Sequence, residues 1–125
     1  MYAIAKRGML ETADILAKDF ANQNSNSSSS YVVPVFSSHP GWTETPGLKP
    51  LMEQHPSYSS ISFRTVQDGT QGLLYTAVSP SLTQKDSGQF YFDGSKVPKH
   101  QPLALTRSTE KEVLKLNDFL NRFVV

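Results

Sequence analysis

Two short apolar runs, YVVPVFSS (31–38) and GQFYF (88–92), are separated by a stretch with helical periodicity. Runs rich in β-branched and aromatic residues and bounded by polar or turn-forming tracts read as buried strands. A helix between two strands of one sheet implies that they run parallel, joined by a right-handed crossover. Pro34 lacks a ladder donor, so the well-paired part of the first strand is expected at Val35 to Ser38. The second run ends in a turn at Asp93-Gly94.

Three helical segments surround these strands. From Tyr2 to about Ala21, Ala5, Met9, Ala13, Leu16 and Phe20 recur at spacings of three and four. Ile4, Leu10 and Ile15 widen the apolar surface, which predicts a helix covered on two sides. Thr65 reads as an N-cap with Asp68 at the reciprocal position of a capping box. Val66, Leu73, Leu74 and Val78 form that helix's apolar side, and Pro80 stops it. Gly69 and Gly72 weaken it intrinsically, which implies close packing against a neighbour. A last helix, Thr109 to Phe123, opens on a capping box from Thr109 to Glu112 and carries Val113, Leu116, Phe119, Leu120 and Phe123 at helical spacing. Leu48 to Gln54 adds a short fourth helix. The class is α/β, with about two strands and three to four helices. Two strands are too few for a doubly wound sheet, so the sheet is expected to be incomplete.

Length and composition bound the rest. With 125 residues the chain holds one domain, and its 38% hydrophobic content is thin beside the roughly 45–50% of ordinary globular chains. A net charge of +1 argues against nucleic acid as a partner, because displacing phosphate counterions needs a basic stripe. The densest basic spots, Lys6-Arg7 and Lys96 to Lys99, are short. Cysteine is absent, and His39, His55 and His100 are too scattered for a metal motif, so no metal site is expected. No apolar run approaches the roughly 20 residues of a membrane span, and the N-terminus lacks a signal-peptide layout, so a soluble, intracellular protein is expected. Asn22 to Ser30 (NQNSNSSSS) reads as a flexible surface loop, and its sequon Asn26-Ser27-Ser28 as a product of that composition.

Two clusters could carry chemistry. Tyr2 and Lys6 (YAIAK) stand one helical turn apart on the same face. An ammonium beside a phenol stabilises phenolate and lowers its pKa from about 10 toward working pH, as acid–base catalysis requires. The same spacing also fits a tyrosine at a helix start beside a solvated surface lysine. The second cluster, His39-Pro40-Gly41-Trp42-Thr43-Glu44-Thr45, follows the first predicted strand. Open α/β sheets bind ligands beyond the carboxyl ends of their parallel strands. There a glycine lets a flat ring approach the backbone, and a threonine offers a hydroxyl and an amide. An ordinary strand-ending turn would look the same. The chain has no P-loop, no G-x-S-x-G and no GxGxxG.

In combination and in order, YAIAK, a strand, PGWTET with Thr45 four residues after Gly41, and SGQFYFDG resemble the short-chain dehydrogenases/reductases across nearly all 125 residues. HPGWTETPG (39–47) looks most like that family's member-twelve branch. The resemblance implies the C-terminal portion of a Rossmann-type parallel sheet and an NAD(P)-dependent oxidoreductase acting on a carbonyl or alcohol. Tyr2 would be the general acid or base. Lys6 would hold the nicotinamide ribose and keep the tyrosine acidic. Pro40, Gly41 and Thr45 would line the nicotinamide and diphosphate side, with Trp42 and Thr43 close by, and about Pro46 to Phe63 would set substrate specificity.

The departures from the family pattern are equally informative. The glycine-rich phosphate loop and the carbonyl-polarising serine both precede the tyrosine in the family, and these residues contain neither. The Asn/Ser tract also lengthens the path from Lys6 to Pro40. We therefore expect a truncated chain, the C-terminal part of an oxidoreductase, inactive when isolated. Two other readings stay open: a non-catalytic interaction module that self-associates through an exposed strand edge, and a truncated product without activity.

Overall fold

The computed structural model describes residues 2–25, 33–55, 57 and 60–123, with side chains from residue 4 onward except those of residues 24, 25, 49 and 51. Its elements are α1 (Tyr2–Ser25), β1 (Ser37–His39), α2 (Lys49–Gln54), α3 (Val66–Val78), β2 (Phe90–Phe92), β3 (Ser95–Val97) and α4 (Glu110–Asn121), with a 3-10 turn at Gln84–Asp86. The sequon at Asn26 and the first two residues of the YVVPVFSS run lie outside the described residues.

β1 and β2 run parallel, with Ser37 opposite Phe90 and His39 opposite Phe92, as expected of strands flanking a helix. The pairing starts before the strands proper: Gly88 N–H donates to Val35 O at 2.7 Å, and Val35 N–H to Ser87 Oγ at 3.0 Å. The ladder is thus shifted toward His39 relative to the expected Val35 to Ser38. The sheet also holds a third strand that the sequence reading stopped short of. Asp93 (φ 49) and Gly94 (φ 73) both take positive φ, the signature of a type I′ hairpin turn. The chain therefore folds straight back, and β3 pairs antiparallel with β2. The result is an open, mixed α/β sheet of order β1-β2-β3.

α1 extends through Ser25, four residues past its expected end. Its buried residues are Ala13, Ile15 and Ala17. At 100° per residue Ala13 and Ala17 share one side and Ile15 faces the other, so the helix is covered on two sides. Met9 (62% exposed) and Leu16 (41%) of the expected stripe stay in solvent. Small side chains permit closer approach: Gly88, just before β2, lies against Ala17 and Asp14. α1 also packs on α4, and Arg7 Nη2 donating to Ser108 Oγ at 2.7 Å and a Lys99–Asp14 ion pair tie it to the loop that precedes α4.

α3 reverses its expected orientation. Thr65 caps it, its hydroxyl accepting from Asp68 N–H at 3.1 Å and donating to the Asp68 carboxylate at 2.6 Å. The face against β1 and β2 is made of Gly69, Gly72 and Thr76, all buried, whereas Val66, Leu74 and Val78 are more than half exposed. A Cβ on Gly69 would collide with Thr43 Oγ1 and stand 3.1 Å from the Pro40 carbonyl oxygen; one on Gly72 would stand 3.3 Å from Asp93 Cα. The helix lies so close to these two turns that its bulky side chains have room only on the far side. α4 keeps its predicted cap: Thr109 and Glu112 form a complete capping box. Val113, Leu116 and Leu120 are half-buried, while Phe119 and Phe123 contact each other near the surface. The buried hydrophobic residues among those described are few, Ala13, Ile15, Ala17 and Tyr91, the last edge-on to Phe36 with ring centroids 5.8 Å apart.

Two alanine substitutions separate packing from propensity. Gly8→Ala in α1, where an added Cβ meets nothing within 4 Å, is expected to stabilise the chain by about 0.5–1 kcal/mol. Gly69→Ala, despite the same propensity gain, is expected to destabilise it by about 1–3 kcal/mol through overpacking. Urea unfolding of both variants checks the pair, and equal shifts in one direction would refute this account of α3.

Candidate functional site

The loop after β1 leaves the carboxyl end of a parallel strand and is held by short-range bonds. Gly41 N–H donates to His39 Nδ1 at 2.9 Å, and Thr43 Oγ1 donates to the Pro40 carbonyl at 3.1 Å. Gly41 has φ 78, which favours glycine, and its Cα faces the Arg64 guanidinium, 2.9 Å from where a Cβ would stand. Thr43 and Arg64 form an isolated parallel bridge, with Arg64 N–H donating to Trp42 O and Glu44 N–H to Arg64 O, both at 2.9 Å. The Trp42 and Phe63 rings meet edge to face, 6.3 Å apart.

Arg64 is the centre of this arrangement. Nη1 and Nη2 bond the two Asp93 carboxylate oxygens at 2.5 and 2.9 Å, and the guanidinium lies 5.5 Å from the Phe92 ring centroid. One side chain thereby ties the loop after β1 to the turn after β2. A forked guanidinium–carboxylate pair fixes direction as well as distance. Its hydrogen bonds hold the Asp93 carboxyl below the usual carboxylate range, outweighing the opposing effect of desolvation. The same pairing raises Arg64. Beside the pair an open groove of about 720 Å³ runs between α3 and the β2–β3 turn, lined by Arg64, Asp68, Tyr75 and Asp93 among others.

Pro40, Gly41, Trp42, Thr43 and Thr45 thus share one loop. Trp42 is 54% exposed, Thr45 is exposed, and Thr43 is half-buried with its hydroxyl turned to Pro40. Lys6 is exposed on the second turn of α1; Tyr2 is helical in its backbone, and its side chain lies outside the described residues. Neither Lys6 nor residues 40–45 line the groove beside Arg64. The sequence reading missed Arg64 and Asp93 as the braces of this loop. Asp93 was visible as a turn residue, but its partner lies 29 residues away, beyond any local pattern. Among the described residues no group of three or more His, Cys, Asp or Glu side chains comes together as a metal site.

Two curated proteins match most of the chain. The dehydrogenase/reductase SDR family member 12 of Bos taurus is 35% identical over 82 residues, 66% of this chain and 26% of that protein. Its Homo sapiens counterpart is 33% identical over 86 residues, 69% of this chain and 27% of that protein. The chain is related to the short-chain dehydrogenase/reductase family. It spans about a quarter of the length of these relatives. No family-wide profile matches it, and no solved structure matches it at a significant level. The open sheet with a parallel β1–β2 pair is that of an incomplete Rossmann-like fold, consistent with this short-chain dehydrogenase/reductase relationship.

The Arg64–Asp93 pair has a pH signature. A carboxyl whose folded pKa is depressed contributes stability that is complete above its unfolded value, about 3.9 for aspartate, and is lost as pH falls through the folded value. Asp93→Asn keeps the shape and tolerates the positive φ, so it is expected to lower Tm at pH 7 and to flatten the Tm–pH curve below about 4. Asp86 and Glu112, also depressed by hydrogen bonds from the helix-capping threonines Thr83 and Thr109, leave a residual acid limb. Thermal melts between pH 2 and 7 check this, and parallel curves for parent and variant would contradict it.

Proposed function

We propose that this chain forms the C-terminal part of an NAD(P)-dependent oxidoreductase acting on a small carbonyl or alcohol. The observation that carries the reading is the Pro40–Thr45 loop at the carboxyl end of a parallel strand, in a chain related to proteins named dehydrogenase/reductase. That is where open α/β sheets take their ligands. The loop's chemistry fits a flat, polar ring: Thr45 offers an exposed hydroxyl and Trp42 an exposed indole. A nicotinamide bound there supplies the hydride. Tyr2 gives a proton to the substrate oxygen in reduction and takes it back in oxidation. Lys6, one turn on, favours the phenolate by its charge and holds the ribose hydroxyls.

Support for a second reading, a non-catalytic module that pairs with another chain, comes from the apolar surface of α1, where Ile4 is 77% and Met9 62% exposed.

On the first reading the isolated 125 residues turn over little or no substrate, because they contain no glycine-rich phosphate loop. A chimera that joins the residues preceding the matched segment of the bovine relative to this chain is expected to oxidise NADPH with an aldehyde. In it Tyr2→Phe should lower kcat by about 10²–10⁴ while NADPH binding, measured by the quenching or enhancement of its own fluorescence, is kept. A folded chimera that binds NADPH but reacts equally well with or without the tyrosine hydroxyl would sink the assignment. Turnover by the isolated chain would overturn its predicted inactivity.

A further inference from the structure

The loop between β3 and α4 has no part in the proposed reaction, yet it holds the most exposed large apolar side chains described, Leu103 at 97% and Leu105 at 95%. Both have positive φ, 65 and 48, a region that L-residues with bulky side chains avoid. Backbone outliers of this kind point to function when the surroundings hold them in place. Here they are held. Ala104 N–H donates to Gln101 O at 3.2 Å, and His100 Nδ1 lies 3.2 Å from Thr106 Oγ1, closing the base of the loop. On one flank Lys99 pairs with Asp14 of α1, and on the other Ser108 accepts from Arg7. Both ends are pinned to the same helix, and residues 101–107 between them are all exposed.

Within the loop itself the charge is one-sided. From Ser95 to Thr109 the sequence has no acidic residue, and Lys96, Lys99 and Arg107 make it the most basic part of a chain of net charge +1. These three and His100 line an open groove of about 560 Å³ at the foot of the loop. Asp14 offsets Lys99 and the Asp86 carboxylate feels the charge of Lys96, which leaves Arg107, with a partly offset Lys96, as the principal cations.

We propose that this loop docks on an anionic phospholipid surface. Leu103 and Leu105 enter the boundary between headgroups and acyl chains, and Lys96, Arg107 and their neighbours take the headgroup phosphates. An apolar tip with a basic collar matches a membrane interface, where insertion and attraction to anionic lipid act together. A free phosphate would leave the leucines in water. A protein partner needs roughly 800 Å² of complementary surface on each side, whereas a convex tip of two side chains suits a fluid surface that needs no matching shape. No helix among the described residues is long and apolar enough to cross a membrane.

The test is co-sedimentation of the full chain with vesicles of phosphatidylcholine alone or with 30 mol% phosphatidylserine. Binding to the anionic vesicles is expected, weakened by 0.5 M NaCl and about tenfold or more poorer on neutral ones. Lys96→Gln and Arg107→Gln should each cost about fivefold, and Leu103→Ser with Leu105→Ser about tenfold or more. All four side chains are exposed, so the variants should melt like the parent. Sedimentation with neither vesicle, equal sedimentation with both, or full binding by the leucine variant would each overturn the proposal. So would equal binding of polyglutamate by parent and leucine variant without lipid binding, which marks an acidic protein surface as the partner. A parent oligomer that the leucine variant dissolves would assign the leucines to a contact between copies.

Discussion

The contact on which the fold depends is between the small-residue face of α3 and the two turns at the carboxyl ends of the parallel strands. Gly69 seats the helix on the Pro40–Thr43 turn, Gly72 seats it on Asp93, and buried Thr76 bonds back to the Gly72 carbonyl of its own helix at 2.9 Å and reaches Ser38 Oγ of β1 at 3.5 Å. Close backbone approach replaces the usual interlocking of large side chains, which is why so few residues are fully buried. It also dictates what stays outside. Once the glycines face the sheet, helical periodicity turns Leu74 and Val78 to solvent.

The Arg64–Asp93 fork works on the same two turns from the surface. A partly exposed ion pair adds little stability by itself. Its value here is geometric, because it sets the distance between the loop after β1 and the hairpin after β2 while Gly69 and Gly72 set their depth. The candidate cofactor loop is thus braced from below by backbone packing and from the side by charge. The same economy of large buried side chains leaves wide apolar areas open on α1, α3 and α4. The chain spans about a quarter of its relatives' length, and among the described residues β1 stands at one edge of the sheet.

Local sequence by itself determined the α/β class, the parallel pair, both threonine caps and the turn at Asp93-Gly94, because each depends on residues within one or two turns of one another. The family relationship read from the sequence is supported by its curated relatives, and the sequence flagged Gly69 and Gly72 as points of close packing. The tertiary structure decided the rest. β3 needed the hairpin to close, and the choice of α3 face needed the two turns in place, since periodicity marks a helix's apolar side but not whether small or large residues meet the neighbour. Arg64 became a brace only when folding brought Asp93, 29 residues away, within hydrogen-bonding distance. Short-range torsional and capping preferences are encoded locally. Which surfaces meet is a property of the whole packed chain.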